Sequence, residues 1–170
     1  MKKFGLLVVL GAAILVGGYY FYIKIGGNPE IQISLVEKSP ETLSGKTYTG
    51  TPQDPKLGET FKEIETLQSL NPGSKIHTIY YIEPAGKLDT MKVFVGIDLP
   101  FPPSEMELLS FSEQRYILAK IQGSRWVMPS PEKIKEEIQT FAQSNELVLS
   151  GVFIDKIISG SEVQVIAPVK

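Results

Sequence analysis

The side chains that most often carry chemistry are scarce in this chain. There is no cysteine and a single histidine, His77. That removes disulfides, thiolate metal sites, iron–sulfur clusters, a cysteine nucleophile and any His-rich metal site, so neither a metal nor a cofactor is expected. His77 falls in the run KIHTIYYIE and is read as a surface residue of a strand rather than a ligand. Tyr80 and Tyr81 are adjacent in the same run. Successive strand side chains point to opposite faces, so at most one of the two can line a cleft. Trp126, the single tryptophan, suits a pocket wall or a core plug equally well. The 17 Lys+Arg and 19 Asp+Glu leave a net charge of −2 with neither sign concentrated, which argues against a nucleic-acid partner. At 42% hydrophobic and 21% charged residues, the bulk of the chain should bury a core.

The elements that must hold these residues can be read from periodicity. In Ile31 to Lys38, apolar Ile31, Ile33 and Leu35 alternate with polar Gln32 and Ser34, which predicts a strand, and a second is placed over Ser44 to Gly50. Asp54-Pro55 offers an N-cap followed by proline at the first helical position. Leu57, Phe61, Ile64 and Leu67 then recur at helical spacing, so a helix is predicted from about Pro55 to Leu70, ended by Asn71-Pro72-Gly73. KIHTIYYIE and TMKVFVGID follow as two more strands. The order then repeats: MELLSF, RYILAKIQG, a helix opened by Ser130-Pro131 with Ile134, Ile138 and Phe141 as its apolar stripe, then VLSGVFIDKI and EVQVIAPV. The matching caps and the echoed strand ends YTGT and IQGS indicate an internal duplication. The expected fold class is therefore α+β, two ββαββ modules related by a pseudo-twofold and joined by the Pro-rich crossover Leu99 to Pro103.

Before these elements, Phe4 to Ile23 carries no charge and no proline. As a helix it would cover roughly 30 Å, the thickness of a bilayer's apolar core. Tyr19, Tyr20, Phe21 and Tyr22 with Lys24 suit the headgroup interface at one end. A cleaved signal peptide is the rival, but the run exceeds a usual apolar region of about 7–15 residues and lacks a well-placed small-residue cleavage site. The expected organisation is an N-terminal transmembrane anchor over 1–25, a linker over 26–30 and one domain over 31–170. Lys2 and Lys3 outweigh Lys24, which predicts a single-pass protein with its N-terminus cytoplasmic and its domain outside, on the periplasmic face in a bacterium.

The duplicated order, the glycine-containing strand ends, the stretch from Gly151 to Lys156 and the terminal APVK resemble the GyrI-like effector-binding domain, the ligand-sensing part of AraC- and MerR-type regulators. The resemblance covers about Ile31 to Lys170. It implies a cleft between the modules that takes amphipathic, often cationic, small molecules between aromatic walls and a buried acid. Carried onto this chain, the acid matches Asp155 best, although a one-residue shift would put Ile154 there, and the family's usual glutamate is absent. The aromatic after the second-half glycine matches Trp126, while Tyr80, Tyr81 and Phe153 are the other candidate ligand-binding residues. The bland alternative for Asp155 is a strand-end acid paired with Lys156 or Lys133.

Three functional classes follow. The first is a membrane-anchored, non-catalytic module that senses or sequesters an amphipathic small molecule. The chain between Ile23 and Ile31 leaves no room for the helix-turn-helix of the regulators. The second is a hydrolase of a small electrophile, implied by the resemblance of some GyrI-like proteins to hydrolases that use an acid and a tyrosine; here the acid would be Asp155 or Glu83, acting as general base on a water. The third is a membrane-tethered adaptor for a protein partner, similar to a eukaryotic reticulophagy receptor. No disordered tail for such recruitment is expected, with the last predicted strand running to Pro168-Val169-Lys170. Haem-binding proteins of a related duplicated fold are a poor match to a chain with one histidine.

Overall fold

The structure, a computed structural model, describes residues 15–20, 30–103, 105–123 and 127–170. Four strands surround a helix in each half of the chain. In the first half these are β1 (Ile31–Val36), β2 (Leu43–Gly50), α1 (Pro55–Leu70), β3 (Ile76–Ile82) and β4 (Met91–Ile97). In the second they are β5 (Glu107–Leu109), β6 (Arg115–Gln122), α2 (Pro131–Ser144), β7 (Ile154–Ser159) and β8 (Glu162–Val169). All eight strands join one sheet in the order β1-β6-β8-β7-β3-β4-β2-β5, and every pairing is antiparallel.

The expected fold class is corrected in two respects. First, the two ββαββ modules do not each keep their own four strands together in the sheet. β1 leaves its own half to pair with β6, with Ile33 opposite Ala119, and β5 leaves its half to pair with β2, with Ser44 opposite Leu108. Each half thus completes the other's edge, and the middle of the sheet is the β3–β7 seam, where Thr78 stands opposite Asp155. Exchanging β1–β4 for β5–β8 simply reverses the strand order. Second, the transmembrane helix expected before the sheet is not supported: among the described residues no helix is long and apolar enough to cross a membrane. That finding overturns the single-pass, N-terminus-inside localisation as well. Most of the expected span Phe4 to Ile23 lies outside the described residues; residues 15–20 are helical and exposed.

Both helices lie on one face of the sheet, as the period-2 alternation of the strands shows. Ile64 of α1 packs with Ile76, Val93 and Val95, whereas Ile134, Ile138 and Ala142 of α2 pack with Ile121, Val165 and Ala167. Ile76 shares its face with Thr78. Asp155 is opposite Thr78, and Val165 is opposite Asp155, so the chain of registry runs from one helix's core to the other's on a single side. The opposite side carries its own cluster of Leu43, Ile79, Phe94, Ile154 and Ile166.

The helix starts follow from local chemistry. Asp54 accepts from the Lys56 amide at 2.9 Å, Ser130 accepts from the Lys133 amide at 3.3 Å, and each cap is followed by a proline that has no amide hydrogen to satisfy. Asp54→Ala is expected to cost about 1 kcal/mol, seen as a lower urea midpoint with an unchanged slope. The strand expected over Val148 to Ile157 begins only at Ile154. Gly151 has φ 91, a left-handed conformation that an extended strand cannot contain, so the backbone turns there and Phe153 precedes the strand.

Candidate functional site

The β3–β7 seam forms the floor of a cleft of about 630 Å³. Val163 and Val165 of β8 extend that floor, and Ile121 and Ile134 carry it into the apolar core beneath α2. The first turn of α2 and the preceding Met128-Pro129 form one wall, Gly151 to Phe153 another, and Glu83-Pro84, just past β3, the opposite rim. The lining is mostly apolar, and its polar groups converge on one spot, which is the usual composition of a small-molecule site.

Asp155 is that spot. Its carboxyl is partly buried on the floor and is pushed up to about 6 from 3.8. Burial is the main cause, because desolvation disfavours the anion. The Lys135 ammonium opposes the rise and the nearby Glu83 carboxylate adds to it. Asp155 sits at the start of β7, but its charged neighbours are Lys135 and Glu83, while Lys156, the next residue of β7, points to the other face of the sheet and pairs with Glu41.

Tyr80 lines the cleft. Its phenol is raised by burial and then by the charges of Asp155 and Glu83, which line the same cleft. Tyr81 does not join it. The β3–β4 register shifts between Tyr80 and Ile82, and Tyr81 lies under Lys92, whose Nζ is 5.4 Å from the ring centroid, with Glu107 rather than Asp155 acting on its phenol. Phe153 is in the wall and packs against the α2 core. Trp126 falls outside the described residues. The structure therefore brings Asp155, Tyr80 and Phe153 together and sets Tyr81 apart.

One residue the sequence reading passed over belongs to the same place, together with Glu83, the second acid of the hydrolase reading. Lys135 extends from α2 to pair with Glu83 across the cleft, and its Nζ stands 5.6 Å from the centroid of Phe153. The signal was present but faint. Pro131 begins the helix, and one turn later, on the same side, comes position 135, inside a charged run that reads as a solvated helix face.

His77 is also placed differently from expectation. It is 1% exposed, on the sheet face opposite the cleft. Its Nδ1 donates to the Lys75 carbonyl at 2.9 Å, and its Nε2 is buried 3.8 Å from Glu41 with no hydrogen-bond partner among the described residues. Burial and then the charge of Lys156 hold its pKa below the usual imidazole range, which favours the neutral ring. Lys156 itself pairs with Glu41 and lies 3.8 Å from Asp98. A central strand, shielded on both faces, explains why this histidine is interior.

No family model and no curated protein matches the chain. Solved structures do. An integron cassette protein from the mobile metagenome of Vibrio cholerae is 15% identical, with 84% of this chain and 99% of that one covered and a TM-score of 0.53. A hydrolase from Listeria innocua is 10% identical over 92% of this chain and 98% of that one, with a TM-score of 0.58. The C-terminal domain of EcmrR is 11% identical over 84% of this chain and 98% of that one, with a TM-score of 0.51. The fold is consistent with the GyrI-like effector-binding domain. At these identities the likeness is one of fold alone, and function has to be argued from the cleft.

Proposed function

We propose that this chain is a non-catalytic binding module that holds an amphipathic small molecule, cationic by preference, in the cleft on the β3–β7 seam. The observation that carries this reading is a partly buried carboxyl, Asp155, on an otherwise apolar floor beside Tyr80 and Phe153. Apolar walls bury the body of a lipophilic cation. The carboxylate and the ring faces attract its charge, and both attractions gain where water is excluded. The size of the cleft, about 630 Å³, falls in the range of sites for drug-sized molecules.

Tetraphenylphosphonium and tetraphenylborate have nearly the same shape and opposite charge, so they separate shape from charge. Titration calorimetry of the full chain should show saturable binding of the cation and much weaker binding of the anion. Preference for the anion would discard the acid's role, and no saturable binding of either would discard the module.

One further reading has an observation of its own. A carboxyl titrating near 6 beside a phenol is a plausible acid–base pair, and Asp155 with Tyr80 could activate water against a small electrophile. The solved Listeria innocua protein described as a hydrolase shares the fold, which by itself transfers no reaction. Hydrolysis of activated esters or epoxides that disappears in both Asp155→Asn and Tyr80→Phe would favour this reading. Turnover indifferent to both substitutions would reject it.

A further inference from the structure

Lys135 places a positive charge inside the very cleft proposed to take one. Its ammonium bridges to Glu83 on the far rim, stands 5.6 Å from the Phe153 centroid and acts on Asp155. Those three groups, two acids and a ring face, are what a bound cation would itself use. Glu83 follows β3 in the first half of the chain and Lys135 belongs to α2 in the second, so the pair also straps the mouth of the cleft from side to side. The Lys135 side chain retains 29% of its exposure and the Glu83 side chain 49%. Ion pairs at that exposure are weak and exchange readily with solvent, so the strap can open at little cost.

We infer that Lys135 is a specificity-determining residue of this cleft, a tethered cation that occupies the ligand's charge subsite and must be displaced for a cationic ligand to bind. The inference rests on the binding function proposed above. Its consequence is selectivity. A small hydrophilic cation offers nothing that the lysine does not already provide at a far higher effective concentration, whereas a lipophilic cation adds apolar burial that the lysine cannot match. The cleft should therefore discriminate against simple amines and ammonium ions and accept cations with a large apolar body.

The test compares the full-length chain with Lys135→Met, which keeps the apolar stem and removes the charge, and with Lys135→Arg, which keeps the charge. Tetraphenylphosphonium should bind Lys135→Met on the order of tenfold more tightly than the parent, and Lys135→Arg about as the parent does. Tetramethylammonium should be undetectable with the parent and become measurable with Lys135→Met. A cation affinity that is unchanged or weaker in Lys135→Met overturns the inference while leaving the binding module standing. Absence of cation binding by the parent and by Lys135→Met alike removes the module and the inference together. Should Lys135→Met melt early, Lys135→Gln gives the same comparison. The Asp155 carboxyl, followed by NMR, supplies a readout without any ligand: its titration should move to higher pH in Lys135→Met and stay in place in Lys135→Arg, and no movement in either would overturn the contact itself.

Discussion

The affinity of the full chain for tetraphenylphosphonium is expected to fall about tenfold between about pH 7.5 and about pH 5, and Asp155→Asn is expected to abolish both the high-pH affinity and its pH dependence. The probe carries a permanent charge, so only the protein can titrate. Asp155 is pushed up to about 6 by burial, a rise that Lys135 opposes and Glu83 reinforces. Above that pH the carboxylate is available to the cation. Below it, each binding event must first displace a proton, and affinity drops by up to tenfold per pH unit. The same shift governs stability with the opposite sign. The folded chain holds the Asp155 proton to a higher pH than the unfolded chain, so the contribution of this group is fully favourable below 3.8 and is lost as pH rises through about 6. Asp155→Asn should therefore stabilise the unliganded chain by roughly 1–2 kcal/mol above about pH 7, after allowance for partial solvent screening, and by nothing near pH 3.5. A variant that loses ligand and gains stability at the same pH would separate a functional acid from a structural one. A pH-independent affinity, or a destabilised Asp155→Asn, would count against Asp155 as the anchor.

What could be read from the sequence was what depends on neighbours in the chain. Asp54-Pro55 and Ser130-Pro131 start helices because a cap and a pre-set proline act within one turn, and Asn71 closes α1 where expected. Strand pairing is another matter. Nothing in IQISLV distinguishes β6 from β2 as its partner, since both would present an alternating apolar face, and the crossing of β1 and β5 into opposite halves is settled only when the whole sheet is assembled. The site inherits that division. Alternation showed that Tyr80 and Tyr81 cannot share a cleft, but which of them faces it depends on the pairing of Thr78 with Asp155 two residues earlier. Lys135 was hidden because a charged helix turn looks the same whether it meets water or a rim such as Glu83. His77 was misplaced because polarity argues for the surface, whereas a strand in the middle of an eight-stranded sheet has little surface to offer.

Replacing Gly45 or Gly96 with alanine is expected to destabilise the chain by about 3 kcal/mol, more than any surface change near the cleft. The two glycines stand opposite each other in the β2–β4 pairing. A methyl group built on Gly45 would lie 2.1 Å from the Val95 carbonyl oxygen and 2.5 Å from the Gly96 Cα, and one on Gly96 would lie 2.6 Å from the Ser44 carbonyl oxygen. Those obstacles are backbone, so no rotamer change can relieve them. The Phe94 ring, 1% exposed, closes the remaining side, within 2.8 Å of either added carbon. Glycine within a strand ordinarily weakens it, so two that face each other mid-sheet indicate a packing requirement strong enough to outweigh that cost. The effect should also reach the site. Gly96 pairs with His77 of β3 on its other edge, and the residue after His77 is Thr78, which lines the cleft floor two residues before Tyr80. A shift of β4 therefore tilts the strand that carries Thr78 and Tyr80. Urea unfolding should show the loss of stability in both variants, and tetraphenylphosphonium should bind the folded fraction of Gly96→Ala more weakly than the parent. Stability within about 0.5 kcal/mol of the parent would mean that the sheet yields at this point and that the cleft floor is not held by it.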